Sequence, residues 1–169
     1  EQRDAIHLVM NNTISVITGG PGCGKTMLTS VLGKLYRKRL VSVGLAGKVT
    51  RKSAEVLGEF GTLCCTIHAV VCGSQVSAAI NEPVFKNGKY QTERSTLAFD
   101  CIIFEEASTI PLPLLARMLR HLARVQPGIK KIVFVGDPNQ LPSIGPGEIL
   151  TDLIRTLPTA TLVTNHRTE

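Results

Sequence analysis

Residues 19–26 read Gly-Gly-Pro-Gly-Cys-Gly-Lys-Thr and match the spacing G-x-x-x-x-G-K-[ST] at every fixed position. Glycines in such a stretch let the backbone wind tightly enough to direct successive N–H groups at an anion. Lys25 is expected to reach the β- and γ-phosphates, and the Thr26 hydroxyl to hold Mg²⁺. The stretch therefore predicts a phosphate-binding loop for a nucleoside triphosphate, formed by Gly19, Gly20, Pro21, Gly22, Cys23, Gly24, Lys25, Thr26 and Met27.

The sequence around this loop predicts a strand before it and a helix after it. Residues 14–18 are strand-like, and apolar residues at 28, 31, 32 and 35 lie on one helix face. Strands are predicted at about 14–18, 41–45, 101–105, 131–136 and 160–164. Helices are predicted at 2–10, 25–39, 47–58, 112–124 and 147–156. Strands that are apolar throughout and alternate with helices are typical of a parallel sheet covered on both faces.

The predicted fold is a single α/β domain with a doubly wound, mostly parallel sheet and one excursion. Residues 73–96 are polar and irregular, and within them Asn87-Gly88 lies between extended-looking residues. An Asn-Gly pair in that setting predicts a two-residue β-hairpin turn. The insertion is therefore expected to contain a small hairpin.

Composition limits the classes of partner and compartment. The 169 residues are 43% hydrophobic and 19% charged, which is typical of one globular domain. No apolar run has the length of a membrane span and no secretory signal is present, so we expect a soluble, intracellular protein with no membrane partner. The net charge of +6 favours polyanionic partners. Five cysteines without a disulfide pattern are interpreted as reduced thiols, and the alternative, a metal site at Cys64, Cys65, His68 and Cys72, matches no standard zinc spacing.

Two further segments complete a predicted nucleotide site. Glu105 and Glu106 follow the apolar run at 101–104 and so lie at the carboxyl edge of the sheet, where ligands bind. Glu105 is the candidate partner of the metal and Glu106 the candidate general base; the alternative is two solvated acids at the start of a loop. After the next apolar strand, Gln140 lies in a Gly- and Pro-bounded turn and is a candidate sensor of the γ-phosphate.

The motif order resembles the superfamily 1 helicases, in their RecD/TraA-like branch, over nearly the whole chain. Gln2 matches the adenine-recognising glutamine, and residues 19–26 match motif I. Residues 45–50 occupy the place of motif Ia, 66–68 resemble motif Ib, and 104–108 resemble motif II. Residues 136–147 are very close to the motif III region, and Asn165-His166-Arg167 resembles motif IV, whose arginine reaches the γ-phosphate.

The resemblance implies a RecA-like domain over residues 1–169 that hydrolyses ATP with Mg²⁺ to drive movement on single-stranded nucleic acid, DNA rather than RNA. Lys25, Glu106, Gln140 and Arg167 would act on the phosphates. A second RecA-like domain of the same polypeptide would form the other wall of the cleft and is not in this chain, so the isolated domain is expected to be weakly active. The predicted nucleic-acid contacts are Lys48, Thr66 and His68.

Several alternatives stay open at this point. His68 and Lys48 could equally be solvated surface residues. Arg51 and Lys52 could contact phosphates or could belong to a solvated helix face. Glu105 stands where the family has Asp, and Ala46 stands where it has a hydroxyl residue. The rival functions are an RNA helicase, a nucleotide-dependent nucleic-acid-binding module with weak or no hydrolysis, and a phosphoryl-transferring kinase.

Overall fold

The computed structural model describes residues 1–71, 83–86, 89–92, 99–126 and 128–165, with 83–86 and 89–92 described by their backbone. The strands within these ranges are Ile14–Gly19 (β1), Leu40–Gly44 (β2), Leu63–Thr66 (β3), Pro83–Lys86 (β4), Lys89–Thr92 (β5), Cys101–Phe104 (β6), Lys131–Gly136 (β7) and Thr159–Leu162 (β8). The α-helices are Gln2–Asn11 (α1), Lys25–Tyr36 (α2), Gly47–Leu57 (α3), Ile67–Val71 (α4), Leu112–Val125 (α5) and Ile149–Thr156 (α6).

Six strands form one parallel sheet in the order β3-β2-β6-β7-β1-β8. β1 is bonded to β7 on one side, with Val16 opposite Phe134, and to β8 on the other, with Ile17 opposite Ala160. Alternate residues of the buried strands face opposite sides of the sheet. The order places the loop after β1 and the acids after β6 at the same carboxyl edge, on either side of β7.

The sheet is covered on both faces, as the apolar strands predicted. One buried cluster joins the sheet to α1, α2 and α3, for example through Val9, Leu28 and Leu57. The other joins it to α4, α5 and α6, for example through Met118 and Leu150. At central strands of the second face the rings of Phe104 and Phe134 stack with centroids 4.9 Å apart. The predicted doubly wound α/β fold is confirmed.

A small antiparallel pair accompanies the main sheet. β4 and β5 are paired with Lys86 opposite Lys89, which leaves two residues for the connection. The hairpin expected in the 73–96 insertion is thereby confirmed. The Asn87-Gly88 turn itself, and the rest of the insertion, lie outside the described residues.

The main differences from the sequence prediction are an unpredicted strand, the unpredicted short helix α4 and two shifted helix ends. β3 was not predicted, because four residues at the sheet edge with two cysteines offer too short a run to show a strand period. The helix predicted over 25–39 ends at Tyr36, where Arg37 takes a φ of 50° and a 3₁₀ turn follows. The helix predicted from 147 begins at Ile149, since Gly147 has a φ of +96°.

The helix pair α2 and α3 is held together by a close approach at Gly33. A Cβ placed there would lie 2.6 Å from a Leu57 methyl carbon and 2.9 Å from the Phe60 ring. Both helices begin at the carboxyl edge of the sheet, α2 after β1 and α3 after β2. Their close contact therefore fixes the distance between the phosphate-binding loop and the first turns of α3. Among the described residues, no helix combines the length and apolarity that a membrane crossing requires.

Candidate nucleotide site

The phosphate-binding loop joins β1 to α2 through two left-handed glycines. Gly22 has a φ of 82° and Gly24 a φ of 86°, a region that L side chains rarely adopt. α2 then begins at Lys25, so the free N–H groups of its first turn lie at the end of the loop. Gly19 is required for a different reason, because a Cβ there would approach the Leu162 carbonyl oxygen to 2.6 Å. Backbone conformation therefore accounts for Gly22 and Gly24, and steric crowding accounts for Gly19.

The Lys25 ammonium is bonded to the loop itself. Its Nζ donates to the carbonyl oxygens of Gly19 and Gly20, the second at 2.7 Å. Both bonds are to neutral carbonyl oxygens, so an incoming phosphate offers the ammonium a stronger, charge-assisted partner. This arrangement fits the role that the sequence predicted for Lys25.

A cleft of about 530 Å³ lies beside the loop, within the size range of ligand pockets. It brings together three segments that are far apart in the chain: the loop, the acids after β6 and the turn after β7. Met27, one of the predicted nucleotide residues, is not among its lining residues and has a 56% exposed side chain. The predicted residues that do line the cleft are Pro21, Gly22, Cys23, Gly24, Lys25, Thr26, Glu105, Glu106 and Gln140.

Glu105 lies at the bottom of the cleft. Its backbone N–H donates to the Val43 carbonyl oxygen at 2.8 Å, which continues the ladder between β6 and β2. Burial raises the pKa of its carboxyl to about 7, and the charge of Glu106 adds to the rise. A hydrogen bond with Thr29 and the positive charge of Lys52 oppose it. Burial destabilises the charged form of this carboxylate, and a bound cation would stabilise it.

The backbone of Glu106 is left-handed and therefore strained. Its φ is 49° and its ψ is 48°, and a left-handed conformation costs a side-chain-bearing residue roughly 1–2 kcal/mol. The conformation is held by Thr109, whose N–H and hydroxyl both donate to the Glu106 carbonyl oxygen, at 2.9 and 2.8 Å. The bend turns the chain away from β6 and leaves the Glu106 side chain at the wall of the cleft.

The turn after β7 is organised by a buried acid that the sequence reasoning missed. Asp137 is 3% exposed, and its carboxylate accepts a hydrogen bond from the Asn139 N–H at 2.9 Å. Its carbonyl oxygen accepts from the Gln140 N–H at 3.2 Å. The turn thus places the exposed Gln140 side chain at the cleft, beside Asp137 itself. The signal for Asp137 was its position directly after a buried strand, the same signal that identified Glu105.

The first turns of α3 form the wall of the cleft opposite the carboxylates. Lys52 lines the cleft and its neighbour Arg51 does not. The exposed Arg51 side chain instead donates from its Nε to the Gly47 carbonyl oxygen at 3.4 Å. Sequence reasoning could not choose between phosphate contact and solvation for this pair. Helical geometry separates them, because adjacent residues point about 100° apart.

The predicted nucleic-acid contacts lie at the same edge of the sheet but outside the cleft. Lys48 and His68 are exposed. The Thr66 hydroxyl accepts a hydrogen bond from the Ala69 N–H at 3.2 Å, which caps the short helix α4. Gln2 is half-buried in α1 and is not among the residues that line the cleft. Arg167 lies outside the described residues.

The cysteine cluster does not form a metal centre in the part of the chain that the structure describes, where no group of three or more His, Cys, Asp and Glu is suited to a metal. Cys72 falls outside that part. Burial raises the pKa of the Cys64 thiol to about 11, and that of both Cys65 and Cys101 to about 12. The described thiols of this group are therefore protonated at neutral pH.

Comparison with known proteins finds a family model and relatives that match nearly the whole chain. A family model described as an AAA domain matches residues 1–169. The RecD subunit of the RecBCD enzyme from Mycobacterium tuberculosis is 30% identical over 173 residues, covering 91% of this chain and 28% of the relative. The ATP-dependent RecD2 DNA helicase of Deinococcus radiodurans is 31% identical, covering 99% of this chain and 21% of the relative.

A solved structure shares the fold. Pif1 from a Bacteroides species, crystallised with ADP-AlF4, aligns with a TM-score of 0.67 at 19% identity over 99% of this chain and 42% of that one. The resemblance to the RecD-like branch drawn from the motifs is confirmed. The chain spans less than a third of the length of both of these curated relatives, at 28% and 21%.

Proposed function

The chain belongs to the AAA domain family, and from that membership we propose that it is the RecA-like ATP-binding domain of an ATP-dependent DNA helicase. The observation that carries the proposal is the cleft, where the phosphate-binding loop, two adjacent carboxylates and Gln140 meet at one sheet edge. The names of the relatives support the choice of DNA, since one is a RecD2 DNA helicase. A Pif1 helicase of the same fold has been crystallised with single-stranded DNA.

The described residues fit a nucleotide with its metal ion. The left-handed glycines bring the loop to the first turn of α2, whose N–H groups are suited to phosphates, and the Lys25 ammonium is bonded to neutral carbonyl oxygens that a phosphate could replace. Thr26 and Glu105 are the residues that would hold Mg²⁺, whose charge would stabilise the phosphates during transfer to water. Glu105 fits because its desolvated carboxylate lacks a full neutralising partner.

Four polar residues of the cleft have proposed tasks in hydrolysis. Glu106 orients the attacking water and accepts its proton as general base. Lys25 holds the β- and γ-phosphates, and the Gln140 amide bonds the terminal phosphate without competing for the metal. Asp137 fixes the turn that carries Gln140 and acts as a positioning residue. The roles of Gln2 at the adenine and Arg167 at the γ-phosphate rest on the family resemblance.

Movement requires more than this domain. We propose that residues 1–169 form one wall of an ATP cleft, with a second RecA-like domain of the same polypeptide as the other wall. The partial coverage of the relatives supports this division. Lys48, Thr66 and His68 would contact single-stranded DNA at the carboxyl edge, next to the nucleotide. Loss of the γ-phosphate would then open the cleft and shift those contacts relative to the second domain.

Lys25→Ala tests the proposal, with Lys34→Ala as the matched control. Both lysines lie on α2, but Lys34 is exposed far from the cleft. In the full-length protein we expect ATP hydrolysis stimulated by single-stranded DNA, reduced at least about 100-fold in Lys25→Ala and unchanged in Lys34→Ala. Nucleotide binding that survives Lys25→Ala unchanged would overturn the proposed site. Tight ATP binding without turnover in the wild-type protein would instead identify a nucleotide-dependent binding module.

A further inference from the structure

Helix α5 carries a row of arginines on its outer face, which we call the α5 arginine stripe: Arg117, Arg120 and Arg124. All three side chains are exposed. At 3.6 residues per turn they fall within an arc of roughly 60° and span about 10 Å along the helix axis. The opposite side of the helix is buried in the core through Leu115, Met118 and Leu122. The stripe therefore points directly away from the sheet.

The charge of the stripe is not neutralised by its surroundings in sequence. No acidic residue occurs between Glu106 and Asp137, a segment that contains α5 completely. Within the part of the chain that the structure describes, no ion pair involves an arginine of the stripe. Lys130 and Lys131, in the same segment, differ in this respect: the first pairs with Asp100 at 3.7 Å, and the second donates to two backbone carbonyls. Among the described residues, the stripe is thus a set of cations without an ionic partner.

The position of the stripe relates it to the carboxyl edge of the sheet. α5 begins there, where the Leu112 N–H donates to the Pro146 carbonyl oxygen at 3.3 Å in the turn region that also carries Gln140. It packs beside α4, which bears the exposed His68. From this edge the helix runs along the outer face towards the opposite edge, so the stripe leads away from the predicted single-strand contacts.

We propose that the α5 arginine stripe binds the phosphate backbone of duplex DNA. Arginines without acidic neighbours are suited to phosphates, and a duplex presents one charge per roughly 1.7 Å of axis, the densest such target. Sites for single strands combine cations with aromatic platforms for the bases, and α5 contains no Phe, Tyr or Trp, its one ring side chain being that of His121. This inference rests on the proposed function, in which single-stranded DNA binds at the carboxyl edge. The stripe would add a second surface that binds the adjoining duplex.

The test measures binding of the 169-residue chain, without nucleotide, to a fluorescent 20-base-pair DNA duplex and to a 20-nucleotide single strand across a salt series. The variant Arg117→Ala/Arg120→Ala/Arg124→Ala should flatten the slope of log affinity against log salt for the duplex by about 2.7, since each phosphate contact contributes about 0.9. The slope for the single strand should change little. The three arginines replaced by lysine should keep the duplex slope, because the charge is retained.

The matched control is Arg3→Ala/Lys34→Ala/Lys38→Ala, which removes three exposed cations on the other face of the sheet, one each from α1, α2 and the 3₁₀ turn after α2. An equal loss of duplex binding in this control would overturn the proposal, because it would show a response to net charge alone. A loss confined to the single strand would overturn the assignment to duplex DNA. Lys25→Ala should leave duplex binding intact, so failure of the stripe and failure of the ATP site give different results.

Discussion

The amino and carboxyl edges of the sheet differ in how their charged groups are partnered. At the amino edge, the Asp100 carboxylate accepts a hydrogen bond from Arg39 at 2.7 Å and lies 3.7 Å from the Lys130 ammonium. Lys131 donates to two carbonyl oxygens at the end of α1, at 2.7 and 2.8 Å. These four charged residues, Arg39, Asp100, Lys130 and Lys131, have partners within the fold, so their interactions contribute to stability.

At the carboxyl edge the charges have partners that a ligand could replace. Lys25 is bonded to neutral carbonyls of its own loop, Glu105 has a raised pKa, and Glu106 is held in a left-handed conformation. Each of these features costs the unliganded fold something that binding a nucleotide and its metal would recover. Loss of a charged group at the carboxyl edge should therefore impair nucleotide binding or catalysis, whereas loss of one at the amino edge should lower the free energy of unfolding alone.

The largest effect is expected at Glu106, where two substitutions separate chemistry from strain. Glu106→Gln keeps the size of the side chain but removes the general base, so ATP hydrolysis in the full-length protein should fall about 10²–10³-fold with little change in ATP affinity. Glu106→Gly also removes the base but relieves the left-handed backbone. It should raise the free energy of unfolding by about 0.5–1 kcal/mol, measured by urea denaturation.

The opposite sign at either measurement would contradict this assignment. If Glu106→Gln hydrolyses ATP at the wild-type rate, another group accepts the proton. If Glu106→Gly destabilises the domain, the left-handed backbone is supported by contacts of the side chain and does not represent stored strain.

The next effect concerns the amino edge and should appear in stability alone. Asp100→Ala removes the acceptor for Arg39 and leaves two cations without a partner, although both can be hydrated at the surface. We expect a loss of about 1–2 kcal/mol in the free energy of unfolding. Nucleotide affinity should be unchanged, and Glu55→Ala, which removes an exposed acid from α3, should change neither quantity. A reduced nucleotide affinity in Asp100→Ala would break the separation between the two edges.

The fold could be predicted from the sequence because its signals are local. The buried strands β6 and β7 contain continuous apolar runs, and Gly22 and Gly24 of the phosphate-binding loop occupy the left-handed positions that glycine favours. The edge strand β3 could not be predicted in the same way. Its four residues pair with β2 alone, and what stabilises it is a tertiary contact that no short window of sequence contains.

The site could be predicted only as far as it follows strand ends. Glu105, Glu106 and Gln140 come directly after or soon after buried strands, and parallel strands bring their carboxyl ends together. Lys52 is different, because it enters the cleft from a helix that the close contact at Gly33 brings against α2. That contact joins residues distant in sequence, so the pattern of α3 alone left the choice between Arg51 and Lys52 open.

The smallest effect is expected at Lys52, and it tests whether a cation at the wall of the cleft acts on the bound nucleotide. Lys52→Ala should weaken ATP binding about fivefold, since one charge near a partly solvated phosphate is worth about 1 kcal/mol. ADP binding should weaken less because ADP lacks the negative charge of the γ-phosphate on which Lys52 would act. The ATP effect should shrink as salt rises from 50 to about 500 mM.

Arg51→Ala is the control that decides the origin of the effect. It removes the same charge from the adjacent position of α3, but Arg51 is exposed and outside the cleft. A local contact predicts that ATP affinity falls in Lys52→Ala and stays at the wild-type value in Arg51→Ala, both measured by titration calorimetry with Mg²⁺. Equal losses in the two variants would mean that ATP responds to the overall positive charge of the domain. In that case Lys52 would belong with the solvated surface, although it lines the cleft.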